Sequence, residues 1–461
     1  MGNKVSSANE TGLAKFFGFA EHGTNYRREI IAGITTFLAM AYILVVNPTM
    51  LSGGELEPAD KQALLDQGIT FPAYDAVFFA TVIASIAGTL AMALLANYPI
   101  ALAPGMGLNA FFTYTVVIQY GIPWQHALAG VFVSGVIALL LAISGIRETI
   151  INAIPESLKH AVGAGIGLFI TFIGLKNAGI VVSDPVTALA LGDLTNPNTL
   201  LAITGLVITV ILMTRNVNGA IFYGIIITSI IGMIAGLVNT PTGIVQIPKD
   251  VSGVGAMFAP LFDFDVMLSS NMLIVILTFL FVDFFDTTGT LVGIASQAGF
   301  IQDNKLPRAG KALAADSLGT IFGAVLGTSN TTSYVESSAG VGAGGRTGFT
   351  SVITALCFLV ALFFSPLLSV ITSAVTAPAL IIVGVLMASN LAKIAWDEID
   401  EAIPSFLTFV AMPLTYSIAT GIALGFIVYP ITKLVKGEGR KVQPLMYVMF
   451  FIFIAYFIWL R

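Results

Sequence analysis

The sequence predicts an all-α polytopic membrane protein. Its 14 transmembrane segments form a 7+7 inverted repeat with broken third and tenth spans. Three observations predict this. The chain is 56% hydrophobic and only 10% charged, whereas soluble domains carry about 25% charged residues. Apolar runs long enough to cross a bilayer recur along nearly its whole length, and a buried soluble core accounts for one or two such runs, not a dozen. Basic residues also fall predominantly in alternate connecting segments, as cytoplasmic loops require.

Hydropathy places the spans at 30–50, 74–96, 99–119, 125–145, 159–178, 198–214, 219–238, 268–294, 310–327, 329–345, 348–366, 368–390, 403–418 and 419–437. With the N-terminus in the cytoplasm, sixteen Lys and Arg lie inside, against Lys61, Lys176 and Lys249 outside. One missed span would invert everything after it, so the bias supports both the count and the orientation. A single crossing by 403–437 would put the KLVKGEGRK cluster outside, so that stretch crosses twice. The apolar tail YVMFFIFIAYFIWL (447–460) is an extra span or an interfacial segment. The expected location is the cell (plasma) membrane.

The repeat is visible where ASIAGTL (84–90) echoes ADSLGTI (315–321). The same offset lays LAPGMGLNA (102–110) close to SYVESSAGVG (333–342). Seven spans per half is an odd number, so the second half enters the membrane from the opposite side, a recurrent plan of secondary transporters.

Other chemistries lack their residues. Cys357 is the only cysteine, and His22, His126 and His160 are scattered, so no metal or cofactor is expected. The N-terminus has no signal-peptide pattern. GVGAGG (340–345) satisfies G-x-G-x-x-G without a surrounding βαβ unit. DTTGT lacks the lysine and the soluble nucleotide domain of phosphorylated pumps. The two intramembrane aspartates lack the sequence context of aspartyl proteases. No catalytic residue is expected, and the chain reads as a non-enzyme.

The informative residues are acids. Asp283, Asp286 and Glu336 fall inside apolar spans with no nearby base. A carboxylate at mid-bilayer costs about 2.5–3.5 kcal/mol on insertion scales. Such groups face a polar cavity, hold a proton or bind a ligand. Asp283 and Asp286 share a helix face, which Thr287 and Thr290 extend. Gly289 and Gly293 form a small-xxx-small pair for close packing. The bland alternative, stronger for Asp286, is that an aspartate caps a helix half.

Glu336 lies in GTSNTTSYVESSAGVGAGGRTG (327–348), which is too polar and glycine-rich for a lipid-facing helix. It predicts a short extended piece leading into a half-helix that starts near Glu336. NYPIALAPGMGLNAFF (97–112) repeats that plan and carries Asn109. Irregular backbone at membrane depth is tolerated where it lines a cavity, and half-helix N-termini offer N–H donors there. Phe111, Phe112, Phe284 and Tyr334 are candidate apolar walls.

At these residues the sequence resembles the AzgA-like purine (adenine/guanine/hypoxanthine) permeases of the nucleobase–cation symporter 2 group. AGITTFLAMAYILVVNPTML (32–51), APGMGLNAFF (103–112), FVDFFDTTGT (281–290) and TSNTTSYVESSAGVGAGGRTG (328–348) carry the resemblance. It implies a proton-coupled importer of adenine, guanine or hypoxanthine. It also implies core and gate domains that move against each other in an elevator-like step. The core would comprise 30–145 and 268–366 (spans 1–4 and 8–11). The gate would comprise 159–238 and 368–437 (spans 5–7 and 12–14). A cytoplasmic N-terminal segment (1–29) and a C-terminal segment with the extra apolar stretch (438–461) flank them. The family's eighth-span acid matches Asp283, its tenth-span acid Glu336 and its third-span Asn Asn109.

The expected substrate set is therefore Asp283, Glu336, Asn109, Gly107, Ser337 and Phe284. Asp283, Asp286 and Glu336 are the candidates for proton coupling. A purine edge presents N–H donors and ring-nitrogen acceptors in one plane, and a protonated carboxyl can both donate and accept. Two converging acids repel, which favours one held proton. Expected partners are a purine nucleobase, a proton and the lipid bilayer. A homo-oligomer is left open and nucleic acid is not expected. The alternatives are a uracil or xanthine transporter, an inorganic anion transporter of the same architecture, and an ion channel.

Overall fold

A computed structural model of the chain describes residues 12–459, apart from 57, 146–153, 242, 247–249, 301–305 and 369–370. Lys4, Arg147, Lys249 and Lys305, which entered the sidedness argument, lie outside the described residues, as does Arg461. Among the described residues, ten helices are long and apolar enough to cross a membrane. They correspond to spans 1, 2, 4, 5, 6, 8, 9, 11, 12 and 14.

The other four expected spans are shorter, each for a visible reason. Spans 3 and 10 break into a strand followed by a half-helix. Span 7 is the 15-residue helix Ala220–Ile234, about 22 Å long against an apolar layer of about 30 Å. Span 13 is Ile399–Thr415, 17 residues long with Pro404 and Pro413 inside it. Tyr416 ends that helix in a left-handed conformation (φ 53°). The Ser417 hydroxyl then caps span 14, accepting from Thr420 N at 3.2 Å.

The helices pack in two groups. Span 5 (Glu156–Asn177) lies against spans 12 (Ser373–Ala388) and 13, span 13 against span 14 (Ile418–Val435), and span 6 (Pro197–Thr214) against spans 7 and 12. In the second group, span 9 (Ala309–Leu326) lies against spans 2 (Tyr74–Ala91) and 4 (Trp124–Ile143), and span 11 (Gly348–Ala361) against spans 1 and 2. Small residues permit these approaches. A Cβ on Gly384 of span 12 would lie 2.3 Å from the Gly167 carbonyl of span 5. Gly293 has no such role: it is exposed, and an added Cβ would meet nothing within 4 Å. The packing pair expected at Gly289 and Gly293 thus fails at its second member.

Span 1 differs from the single helix expected. It consists of Tyr26–Met40 and Ile43–Leu51, interrupted at Ala41 and Tyr42. Its start is tied to span 11 by the fully buried Glu29. That carboxylate accepts from Arg346 N (3.0 Å), Thr347 Oγ1 (2.8 Å), Thr350 N (3.1 Å) and Thr350 Oγ1 (2.6 Å). A carboxylate at a helix N-terminus pairs with the unbonded amides and the positive end of the dipole. The apolar tail is a helix, Pro444–Trp459, packed on span 14. A short hairpin, strands β2 (Val181–Asp184) and β3 (Ala188–Leu191), joins spans 5 and 6. Nothing in the sequence reading marked it.

Candidate functional site

The broken spans meet as an antiparallel pair. Strand β1 (Leu102–Pro104) of span 3 pairs with strand β4 (Thr331–Ser333) of span 10, with Leu102 opposite Ser333, Ala103 opposite Thr332 and Pro104 opposite Thr331. The ladder continues through Gly105 N to Asn330 O and Tyr334 N to Ala101 O, both 2.9 Å. Backbone at this depth has no water to pair with, so two extended pieces are stable only by satisfying each other. Half-helices follow at once, Met106–Ala110 and Ser337–Gly342. The first continues into the π-helical stretch Phe111–Gln119.

This cross-over assigns different work to several expected site residues. The buried Ser337 hydroxyl accepts from Ala101 N at 3.0 Å, pinning the tenth-span half-helix to the third span. The first amides of that half-helix, Ser337, Ser338 and Ala339, bond back to Tyr334, Val335 and Glu336 carbonyls. The turn itself therefore uses the donors expected to face a ligand. A Cβ on Gly107 would lie 2.3 Å from Ile166 Cγ2 of span 5, so Gly107 marks a close approach between the two helix groups. Phe284 is fully buried among Leu280 and Ala138, on the side of span 4. Phe111 packs edge-on to Phe279 of span 8 at 5.0 Å.

Glu336 stands at the N-cap of its half-helix. Tyr42, at the break in span 1, donates its hydroxyl to Glu336 Oε1 at 2.6 Å. The charges of both Glu336 and Asp286 act on Tyr42 and Tyr334, and those of Asp316 and Glu336 act on Asp286. Two carboxylates and two phenols therefore lie within electrostatic reach of one another. Asp286 and Glu336 are partly accessible there, whereas Asp283, one turn earlier, is 2% exposed. Tyr334 also donates to the Pro104 carbonyl at 2.5 Å, holding its ring across the two strands.

A fourth intramembrane acid, Asp316 of span 9, escaped the sequence reading although it lies in the quoted repeat ADSLGTI. It is fully buried. Its Oδ1 accepts from Ser333 N and Ser333 Oγ, both 2.9 Å, and its Oδ2 from Thr287 Oγ1 at 2.7 Å. Thr287 also meets Thr332 Oγ1 at 2.8 Å. Asp316 thus fastens strand β4 to the helix carrying Asp283 and Asp286. The rule that flagged the other acids covers it, since it too sits within an apolar span.

A polar layer lies beside the strands. Asn109 accepts from the Ser329 hydroxyl, and its buried amide nitrogen has no protein partner. Asn47 donates to Thr81 Oγ1 at 2.7 Å and to Thr328 Oγ1 at 2.9 Å. Both halves of the chain thus bring carboxylate acceptors and an amide donor to the region of the crossed strands.

The profile of the Permease family (Xan_ur_permease) matches residues 27–424. Guanine/hypoxanthine permease PbuG of Bacillus subtilis is 57% identical over 97% of this chain and all of its own length. Adenine permease AdeQ of Escherichia coli is 41% identical, over 95% of this chain and 94% of its own. Among solved structures, the transmembrane domain of the cyanobacterial bicarbonate transporter BicA superposes with a TM-score of 0.63. That match has 16% identity and covers 86% of this chain and 97% of that one. The murine anion transporter Slc26a9 superposes with a TM-score of 0.60 at 12% identity, over 94% of this chain and 73% of that one. Identities this low speak for the fold alone. The family match over most of the chain and the near full-length relatives lead to one conclusion: the chain belongs to the Permease family, as a multi-pass membrane transporter and not an enzyme.

Proposed function

We propose that the chain imports purine nucleobases (adenine, guanine or hypoxanthine) across the cell membrane by proton symport, with its N-terminus in the cytoplasm. The observation that carries this reading is the carboxylate pair Glu336 and Asp286. Both are partly exposed and within electrostatic reach of each other, and Tyr42 bonds Glu336. Glu336 accepts the ring N–H groups of the base, and the unpartnered Asn109 amide donates to a ring nitrogen or carbonyl. Carboxylates repel an anion, so site chemistry separates this chain from the anion transporters that share its fold.

The proton sits on Asp283 or Asp286. Asp283 is the more enclosed, and a neutral acid crosses a low-dielectric path at far lower cost than a carboxylate. Spans 1–4 and 8–11 form a core that carries the site. Spans 5–7 and 12–14 form a gate against which the core slides like an elevator. The named substrates of the relatives, guanine, hypoxanthine and adenine, support the substrate class. Asp283→Asn should abolish accumulation of radiolabelled hypoxanthine or guanine in energised cells. Competition by adenine, guanine, hypoxanthine, xanthine and uracil ranks the substrates. Wild-type accumulation by Asp283→Asn, or uptake blind to every purine, would overturn the reading.

A further inference from the structure

Glu55 lies outside the candidate site, in the turn that follows span 1 on the face opposite the N-terminus. Gly53 (φ 64°) and the bond from Gly54 N to Thr49 O at 2.8 Å shape that turn. Its carboxylate is 4% exposed. Oε2 accepts from the Tyr114 hydroxyl of span 3 at 2.9 Å and from Asn177 Nδ2, at the end of span 5, at 3.1 Å. Oε1 is buried and has no hydrogen-bond partner among the described residues. One acid therefore bridges the two helix groups, with a free oxygen sealed inside the seam.

A neighbouring contact crosses the same seam. Thr115 donates to the Tyr416 carbonyl at 3.0 Å, and on the far side Lys176, in the same helix group as Tyr416, lies over its ring at 5.4 Å. The other cation nearby, Lys61, is held by the Ser52 carbonyl at 2.8 Å. Among the described residues, the titratable or charged groups on the elements packed around Glu55 are Tyr114, Tyr416, Lys176 and Lys61, and of these Tyr114 alone bonds its carboxylate.

We propose that Glu55 is a proton-binding latch: it takes a proton from outside water as this seam closes and returns it when the seam opens. The proposal rests on the reading that the two helix groups move against each other. Geometry supplies the reason. A carboxylate sealed from water with one oxygen unbonded is disfavoured as an anion, and opening restores its hydration. Burial pushes the closed-seam carboxyl up to about 7, with the Tyr114 and Asn177 bonds pulling the other way. A hydrated glutamate titrates near ~4.3. Between those values closure binds a proton, so falling pH favours the closed seam and rising pH favours the open one.

The test places spin labels at Gln62→Cys and Asn198→Cys, both exposed and on opposite sides of the seam, in the full chain with Cys357→Ala. Distances are measured in nanodiscs at pH 5.5 and 8.5, without purine. The long-distance population should rise at least about threefold at the higher pH. Glu55→Gln, which keeps an acceptor but cannot titrate, should show no pH response. Tyr114→Phe removes one donor to the anion and should move the midpoint upward, a check that holds even if Glu55→Gln does not fold. A flat wild-type response, a persisting response in Glu55→Gln, or an unmoved midpoint in Tyr114→Phe would overturn the latch. No purine enters the measurement, so its failure is separate from failure of the transport reading, which uptake decides.

Discussion

The Tyr42 hydroxyl donates to Glu336 Oε1 at 2.6 Å across 294 residues of sequence. Tyr42 stands where the helical hydrogen bonding of span 1 is interrupted, at Ala41 and Tyr42. The bond restrains the carboxylate rotamer, together with a contact from the residue's own backbone amide. Hydrogen bonds to charged groups contribute about 1.5–3 kcal/mol. Tyr42→Phe should therefore raise the KM for hypoxanthine uptake by about tenfold or more while membrane expression stays normal. An unchanged KM would remove Tyr42 from the site.

Asp316 presents a different case, because its bonds join elements rather than face the cleft. Asp316→Asn replaces an acceptor-only group with an amide whose N–H groups would oppose the donors of Ser333 and Thr287. A cost of about 2–4 kcal/mol is expected. Thermal unfolding of the purified protein should show a lowered Tm together with lost uptake. Wild-type stability would mean that strand β4 is held by the ladder alone.

Gly107 tests whether the two helix groups slide. A Cβ at 2.3 Å from Ile166 Cγ2 must displace span 5 or the half-helix. Gly107→Ala should slow uptake more than tenfold while equilibrium binding of hypoxanthine is largely kept. Adding Ile166→Ala removes the colliding atom and should restore much of the rate. If the double variant stays as slow as the single one, the collision is not what limits transport.

Asp283 and Asp286 can be separated by comparing accumulation with exchange. If the coupled proton rides on Asp283, Asp283→Asn should lose accumulation yet retain some counterflow of labelled hypoxanthine in preloaded vesicles. Asp286→Asn, at the more exposed of the two aspartates and within electrostatic reach of Glu336, should instead weaken binding and depress both. The reverse pattern would move the proton to Asp286.

The broken spans were legible because composition gave them away. A run of Ser, Thr and Gly at membrane depth cannot face lipid, and the half-helix begins at Ser337, directly after Glu336. The third-span counterpart was legible through its prolines and glycines. Tyr42 was not, because a mid-span tyrosine reads as lipid-facing and no Gly or Pro marks the interruption at Ala41. Asp316 was passed over in a motif read only for its repeat. Ser337 illustrates the limit: a serine beside the key acid looks like a ligand group, yet its partner is a backbone amide 236 residues away. Which partner a small hydroxyl finds depends on how the two halves cross, and local sequence carries no record of that.

The three-residue ladder between β1 and β4 also constrains biogenesis. Its strands leave the ribosome far apart, since Pro104 and Tyr334, linked across it, are 230 positions apart. The earlier strand must wait, its amides and carbonyls provisionally solvated or shielded, while six further hydrophobic segments are threaded into the bilayer. Pairing of the two strands is therefore a late event, and a chain truncated before residue 331 would keep an unmated strand at its heart.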